Sequence, residues 1–482
     1  MPLDLQAAAC AAMAHYDFEP GIPADAEREA ARIPDALPAA SGARDLRGLL
    51  WSSIDNADTR DLDQLAVTEA LPDGGTRLLL AIADVAAYVA PDSGMERHAA
   101  ANTTTVYAGV ATFPMIPERL STDLTSLREG ADRLAVVAQL DVTREGETRS
   151  ATVYRAVVRN KAQLAYEPVG AWLSGQASAP PRLAGDAPLA EELRRQDALA
   201  RTLRARRHRL GALELARTET RAVRGPDGAI TVEEVLPNPA RELIEDLMIA
   251  ANSAVATFLE SRGLPSIRRV VRSPARWERI VDVARRLGES LPAEPDPVAL
   301  AEFLRRRRAA DAAAFPELSL TVVKLLGPGE YALELPGDTE RDHFSLSVDD
   351  YAHSTAPNRR YADLVTQRLL HATLAGASAP YSAEALGEIA ARCTRKEGDA
   401  KKVERLVRKL VAASAVSGRV GETFDAVVTG VKRDATYVRT ISPPVEGRVV
   451  RGEAGMDVGD RVRVRLAAVD ETKGWIDFEG VR

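Results

Sequence analysis

Four aspartates fall within nine residues in the segment SSIDNADTRDLDQLAV: Asp55, Asp58, Asp61 and Asp63. Carboxylates at that density repel one another strongly at close range, and a divalent cation relieves the repulsion. The donors are all hard oxygens, so the ion they suit is Mg²⁺ or Mn²⁺ in preference to Zn²⁺ or copper. A calcium EF-hand is the nearest rival pattern. Counted from Asp55, however, its sixth position is Arg60 instead of glycine and its twelfth is Ala66 instead of glutamate, so the loop is not of that kind. An acid-rich loop alone is more often a solvated turn. Here Leu49, Leu50, Trp51 and Ile54 precede it and Leu62, Leu65 and Val67 follow, which argues for a loop anchored on core elements at both ends.

Those anchors read as strands. Short apolar runs, LLWSSID, RLLLAIADVAAYV and RLAVVAQLDV, alternate with turn residues and predict a mixed sheet. Helical periodicity takes over from Pro188 to Arg209 and again through RELIEDLMIAANSAVATFLESRG, which stops at a glycine followed by a proline. From about Gly418, short alternating segments such as TFDAVVTGV and DRVRVRLAAVD predict a small OB-type barrel. The expected fold class is α+β, in three parts. Residues 1–45 are a short region, Ala- and Pro-rich and partly helical over ADAEREAAR; residues 46–415 form a large mixed-sheet domain surrounded by helices; residues 416–482 form the all-β barrel. With 45% hydrophobic and 28% charged residues the chain is globular rather than disordered. No apolar stretch approaches the ~18 residues a membrane helix needs, and MPLDLQ lacks the basic start of a signal peptide, so the expectation is a soluble, cytoplasmic protein. Two cysteines, Cys10 and Cys393, cannot build a disulfide framework or a zinc cluster. The net charge of −7 is unevenly spread: residues 1–150 hold 24 acids and 12 bases, whereas residues 392–451 hold 14 bases and 7 acids. A basic end of that kind could meet phosphates.

Five ordered blocks carry a resemblance: IDNADTRDLDQLAV, LAIADVAAYVAPDSGMER, TVYAGVATFPMIPERLSTDLTSL, ELIEDLMIAAN and HFSLSVDDYAHSTAPNRRYADLVTQRLL. From about Leu49 to Leu410 the chain resembles the catalytic (RNB) domain of the ribonuclease II family, and its terminal barrel resembles the S1 RNA-binding domain. The resemblance implies a processive, sequence-independent 3′→5′ exoribonuclease. It would act with one or two Mg²⁺ ions, or Mn²⁺, on single-stranded RNA from the 3′ end, releasing nucleoside 5′-monophosphates, as a monomer. It further implies that Asp55, Asp61 and Asp63 are catalytic carboxylates and metal ligands, that Arg359 is the catalytic arginine, and that Tyr107 stacks on the terminal base. Arg360 is the nearest rival of Arg359 and a substrate-binding candidate, with a salt bridge on the helix surface as its competing role. Glu245 and Glu404 resemble acids that line the RNA channel.

Two features depart from the family. The fourth signature aspartate is Gln64 here; its carbonyl can still coordinate Mg²⁺, but one charge is lost, and Asp58 or an RNA phosphate is expected to compensate. That substitution motivates the alternative of a weakened or inactive RNB-fold RNA-binding protein. The family's two N-terminal cold-shock barrels also have no room in 45 residues. Among secondary candidates, the basic runs at 201–209 and 304–308 could track phosphates, although such runs are usually solvated helix faces. Phe424 and Tyr437 near Lys432, Arg433 and Arg439 could contact a single strand, with core packing the competitor for Phe424. His343 and His353 are assigned to packing.

Overall fold

A computed structural model of the chain describes residues 3–481 apart from 39, 41, 217–218, 225–229, 236, 313, 339–342, 349 and 433–434, and only the backbone within 219–224 and 230–235. The chain opens with α1 (Leu5–His15) and α2 (Ala24–Arg32). Sequence pattern points to α2 alone. α1 forms as well because the Asp4 carboxylate accepts from the N–H groups of Gln6 and Ala7 and because Ala9, Ala12 and Met13 bury against Val403 and Val407 of a later helix.

Next come β1 (Arg44–Asp45), β2 (Ser52–Asp55), β3 (Gln64–Ala70), β4 (Thr76–Ala83), α3 (Gly94–Asn102), the short pair β5 (Val106–Tyr107) and β6 (Thr112–Phe113), and a π-helical turn (Arg119–Leu124). The long hairpin β7 (Asp132–Val142) and β8 (Thr148–Arg159) follows, and then β9 (Ala162–Ala165). Seven of these strands form one mixed sheet in the order β1-β8-β7-β4-β3-β2-β9, with β1 parallel to β8 and β9 parallel to β2. β3 and β4 are apolar on both faces because both faces are covered: Leu65, Val67, Leu79 and Ala81 enter one core, Ala66, Leu78 and Leu80 the other.

The second core is closed by α4 (Tyr166–Leu173), α5 (Pro181–Ala184), α6 (Ala187–Arg209) and α7 (Pro239–Ser261), with the hairpin β10 (Glu219–Arg224) and β11 (Ile230–Val235) between the last two. Asn238 caps α7 through the N–H of Ala240, and Gly263, at φ +66°, ends it. β12 (Ser266–Val270), α8 (Trp277–Arg286), α9 (Pro297–Ala310), α10 (Phe315–Leu326) and β13 (Glu330–Glu334) come next. The three helices enclose a separate core around Trp277, Ile280, Phe303 and Val322. α11 (Tyr361–Leu374) and α12 (Ala383–Val416) cover the first core with Leu364, Val365, Leu386 and Ile389.

Beyond α12, β14 (Thr423–Lys432), β15 (Ala435–Thr440), β16 (Glu446–Arg451), β17 (Arg461–Asp470) and β18 (Trp475–Val481) close into a five-stranded barrel. Phe424 is buried in it, edge-on to Phe478 at 6.3 Å, so core packing claims this ring. Tyr437 is half-buried beneath the Lys432 ammonium, 5.3 Å from the ring centre. Arg433 lies outside the described residues. The class is therefore α+β with an OB-type barrel. Among the described residues no helix is long and apolar enough to cross a membrane.

Candidate active site

β2 ends at Asp55, whose Oδ1 accepts from the N–H of Asn56 at 2.7 Å and the hydroxyl of Thr59 at 2.8 Å. These bonds curl the chain into the acidic loop. At its far end the loop is pinned to the segment following the π-helical turn: Ser126 Oγ donates to the carbonyl of Arg60 and accepts from the N–H of Leu62, while the Leu127 N–H reaches the Leu62 carbonyl. Leu62 is buried, and the Asp63 carbonyl accepts from the N–H of Ala83 on β4. Asp63 therefore enters the interior at the end of the inner strands β2 and β3 and is only 2% exposed.

A second stretch brings the cationic and aromatic groups. The chain leaves α3 through Thr103 at φ +60°, a left-handed conformation that is strained for a β-branched residue. The next residues run beside the start of α11: Thr105 N–H donates to the Arg359 carbonyl, and Tyr361 N–H to the Thr103 carbonyl. This pairing sets Tyr107 next to Arg359. Tyr107 is 45% exposed, and its hydroxyl donates to Asp61 Oδ2 at 3.3 Å. Arg359 Nε lies 3.2 Å from Asp63 Oδ2, and Asn358 Nδ2 donates to Asp63 Oδ1 at 2.9 Å. Tyr107, Arg359, Arg360, Glu397 and Glu404 line one cavity of about 230 Å³. A larger cavity of about 650 Å³ lies between α6, α7 and the β7–β8 hairpin, and Asp55, Asp58, Asp61 and Asp63 line neither cavity.

Burial dominates the electrostatics. It lifts the Asp63 carboxyl to about 6 against the opposing pull of Arg359, with Asp61 adding to the rise. Asp61 is raised for the same first reason. The Tyr107 hydroxyl is pushed up by burial and by Asp61, so it stays protonated and remains a donor. Acids whose charge the fold opposes, offering only hard oxygens, fit a divalent cation. Among the described residues the three aspartates do not bring one oxygen each within 4.8 Å of one another; the triad that does is Glu260, Glu334 and Asp350. There Arg268 Nε already lies 3.1 Å from Glu334, so a cation is built in. The looser set of Asp55, Asp61 and Asp63 is compatible with a divalent ion that keeps part of its water shell.

The other sequence candidates scatter around this centre. Gln64 opens β3, and strand alternation sends it to the opposite face from Asp63, with Ala66 and Thr68; among the described residues no side chain hydrogen-bonds its amide. Asp58 is exposed on the loop and bonds none of the site residues. Glu404, on α12, accepts from the N–H of Tyr107, and burial raises its carboxyl. Glu245 is exposed on α7. Arg360 turns away from the acids: its Nη2 donates to Asp363 at 2.7 Å. The basic runs are mostly engaged internally, Arg204 and Arg207 by Asp246 and Arg308 by Glu214. Sequence reasoning missed Asn358 and Thr125. It also missed Arg241, which lies over the Tyr166 ring and donates to Asn56 Oδ1 at 2.8 Å. Only the basic residue opening α7 in line with the acidic loop could have hinted at the last; nothing local marks the first two.

A mixed sheet sandwiched by helices, an acidic loop joining two of its inner strands and an arginine delivered from the start of a later helix define an RNB-type domain. Residues 43–376 match the model of the RNB domain, and residues 422–481 that of the RNase II-type exonuclease C-terminal S1 domain. The chain belongs to the RNB family. Among curated relatives, ribonuclease R of Escherichia coli (strain K12) is 30% identical over 496 residues, covering 95% of this chain and 60% of that protein. Ribonuclease R of Vibrio cholerae is likewise 30% identical, over 498 residues, covering 95% and 59%. The chain thus spans about six tenths of the length of the curated relatives it matches. Among solved structures, Mycoplasma genitalium RNase R in complex with ribose methylated single-stranded RNA superposes with a TM-score of 0.87 at 21% identity, over 99% of this chain and 78% of that one. Yeast Ssd1, a pseudonuclease, shares the fold at a TM-score of 0.68 and 17% identity, over 89% and 53%.

Proposed function

We propose that this chain is a divalent-metal-dependent 3′→5′ exoribonuclease that degrades single-stranded RNA processively, without sequence preference, to nucleoside 5′-monophosphates, as a cytoplasmic monomer. The observation that carries the reading is that Tyr107 and Arg359, which line one cavity, bond Asp61 and Asp63, so that three distant stretches of sequence meet there. The names of the curated relatives add that ribonucleases share this build.

Asp55, Asp61 and Asp63 would hold Mg²⁺ or Mn²⁺; Gln64, expected from the sequence to add a neutral oxygen, lies on the opposite face of β3 and leaves the fourth charge unreplaced. When bound, the ion supplies Lewis-acid charge to the scissile phosphate and an activated water. Arg359, with its side chain 44% exposed, keeps N–H groups beyond its Asp63 contact with which to neutralise charge developing on the phosphate. The Tyr107 ring presents a face to the last base, an interaction indifferent to base identity. Glu404 beside it can accept from a ribose hydroxyl, the group that distinguishes RNA from DNA. Glu245 on α7 is a further substrate contact under this reading, whereas Arg360 is committed to Asp363 and serves the fold.

Gln64 supports one rival, an RNA-binding protein without turnover. Incubation of 5′-labelled RNA with the protein and Mg²⁺ separates the two: a ladder shortening from the 3′ end is expected, and intact RNA that stays bound would overturn the exonuclease reading.

A further inference from the structure

Asp63 is held from two sides, and the two holds differ in kind. Arg359 reaches Oδ2 from a partly exposed position and is the group a phosphate would engage. Asn358 reaches Oδ1 from inside the protein, is 1% exposed and touches no solvent-facing part of the cleft. An ionised carboxylate only accepts, so the amide must turn its nitrogen toward Asp63 and its oxygen away. That oxygen meets the Thr125 hydroxyl at 2.7 Å. Thr125 in turn is set by the π-helical turn, its N–H bonded to the Leu120 carbonyl at 3.1 Å. A chain of contacts therefore runs from Leu120 through Thr125 and Asn358 to Asp63, linking residues more than 200 positions apart in sequence.

We propose that Asn358 is a positioning residue for Asp63. With Arg359 alone the carboxylate could turn about its Cβ–Cγ bond and offer either oxygen; the second donor, fixed by Thr125, leaves Oδ1 toward the core and presents Oδ2 to the cleft. Orientation matters more in this chain because Gln64 contributes no charge, so three carboxylates must grip the cation without a fourth to compensate for a misaligned one. The inference rests on the exonuclease reading for its consequence in turnover, but its geometric content concerns the cation alone.

The test therefore begins with Mn²⁺ binding by the RNA-free protein, followed calorimetrically, and adds kcat, the Mg²⁺ activation midpoint and RNA affinity in EDTA. Asn358→Leu should weaken Mn²⁺ binding about 10-fold and lower kcat by about 10–100-fold, the range for groups that orient a metal ligand. RNA affinity in EDTA should stay within about twofold, because no RNA contact is removed. Thr125→Val should shift the same two quantities in the same direction by about 3–10-fold, and Thr125→Ser should restore both. A folded Asn358→Leu with Mn²⁺ affinity and kcat within about twofold of wild type overturns the proposal. So does indistinguishable behaviour of Thr125→Val and Thr125→Ser, which decides the matter should Asn358→Leu not fold. If wild-type protein binds Mn²⁺ yet leaves RNA intact, the exonuclease reading fails, while the Mn²⁺ titrations still decide the role of Asn358.

Discussion

Asp63→Asn keeps the shape of the side chain and removes one charge, and the structure predicts opposite effects on stability and on chemistry. Burial holds the Asp63 carboxyl at about 6, above the ordinary 3.8. An acid raised in the folded state favours folding while protonated and loses that advantage as pH climbs from the unfolded value through the folded one, here between about 4 and 6. At neutral pH the ionised group thus costs about 3 kcal/mol in the absence of a cation, at about 1.4 kcal/mol per pH unit. Asparagine removes that cost, a net figure in which the opposing pull of Arg359 is already included. In EDTA the variant should melt several degrees higher than wild type, and added Mn²⁺ should raise the wild-type melting temperature far more than that of the variant. Chemistry moves the other way: losing one of three charges at the ion should lower kcat by at least about 10³-fold, or about 4 kcal/mol. RNA affinity in EDTA should change by no more than about threefold, because Tyr107 and Glu404 remain. Single-turnover digestion of a 5′-labelled oligonucleotide and paired melts in EDTA and Mn²⁺ measure all three. Turnover within about tenfold of wild type, or a lower melting temperature in EDTA, would refute the reasoning.

Proton competition at the same carboxylate predicts that half-saturating Mn²⁺ rises by up to about tenfold per pH unit below about 6; a flat dependence from pH 7 to 5, read by calorimetry, counts against it. Tyr107→Ala should raise KM for RNA by about 5–150-fold, the equivalent of 1–3 kcal/mol of stacking, whereas Tyr107→Phe should change it little. Equal effects of the two would show that the hydroxyl, and not the ring, is what matters. The adjacent arginines should separate cleanly. Arg359→Lys should lower kcat about 100-fold with an unchanged melting temperature, while Arg360→Met, which strands a fully buried Asp363, should cost about 3–5 kcal/mol of stability; a catalytic defect without destabilisation in the second would revise its assignment.

The acidic loop was legible because a local pattern carried it: four aspartates between apolar anchors, in a spacing shared with a known family. Strand runs around it were legible for the same reason, since β3 and β4 are buried on both faces and so read as continuous apolar stretches. The barrel followed from close-set alternating strands. What stayed hidden depends on pairings that no local pattern records. Arg360 and Arg359 look equivalent in PNRRYAD, yet Arg360 N-caps α11 and its guanidinium falls on Asp363 three residues on, while Arg359 sits one residue earlier, outside that turn. The basic run in α6 looks like a phosphate track until Asp246 of α7 takes up both Arg204 and Arg207. Asn358 carries no charge and no periodicity, and becomes visible only when Thr125 and Asp63 close on it.

These hidden pairings are also what ties the site to the stability of the fold. The stretch 103–107 meets 359–361 through backbone bonds, and 60–62 meets 126–127 through Ser126 and Leu127; each joins segments more than sixty residues apart. Both contacts sit beside the core around Leu65, Val67 and Leu364, whose apolar burial offsets the desolvation and mutual repulsion of the acids. The offset is incomplete at Asp63, whose raised carboxyl reports charge the fold has not balanced. Under the proposed function a bound cation would supply the balance, so the same deficit that lowers the stability of the metal-free protein at neutral pH would create the demand for the ion. Filling it with a fixed positive side chain, as Arg268 does among Glu260, Glu334 and Asp350, would stabilise the fold and abolish that demand.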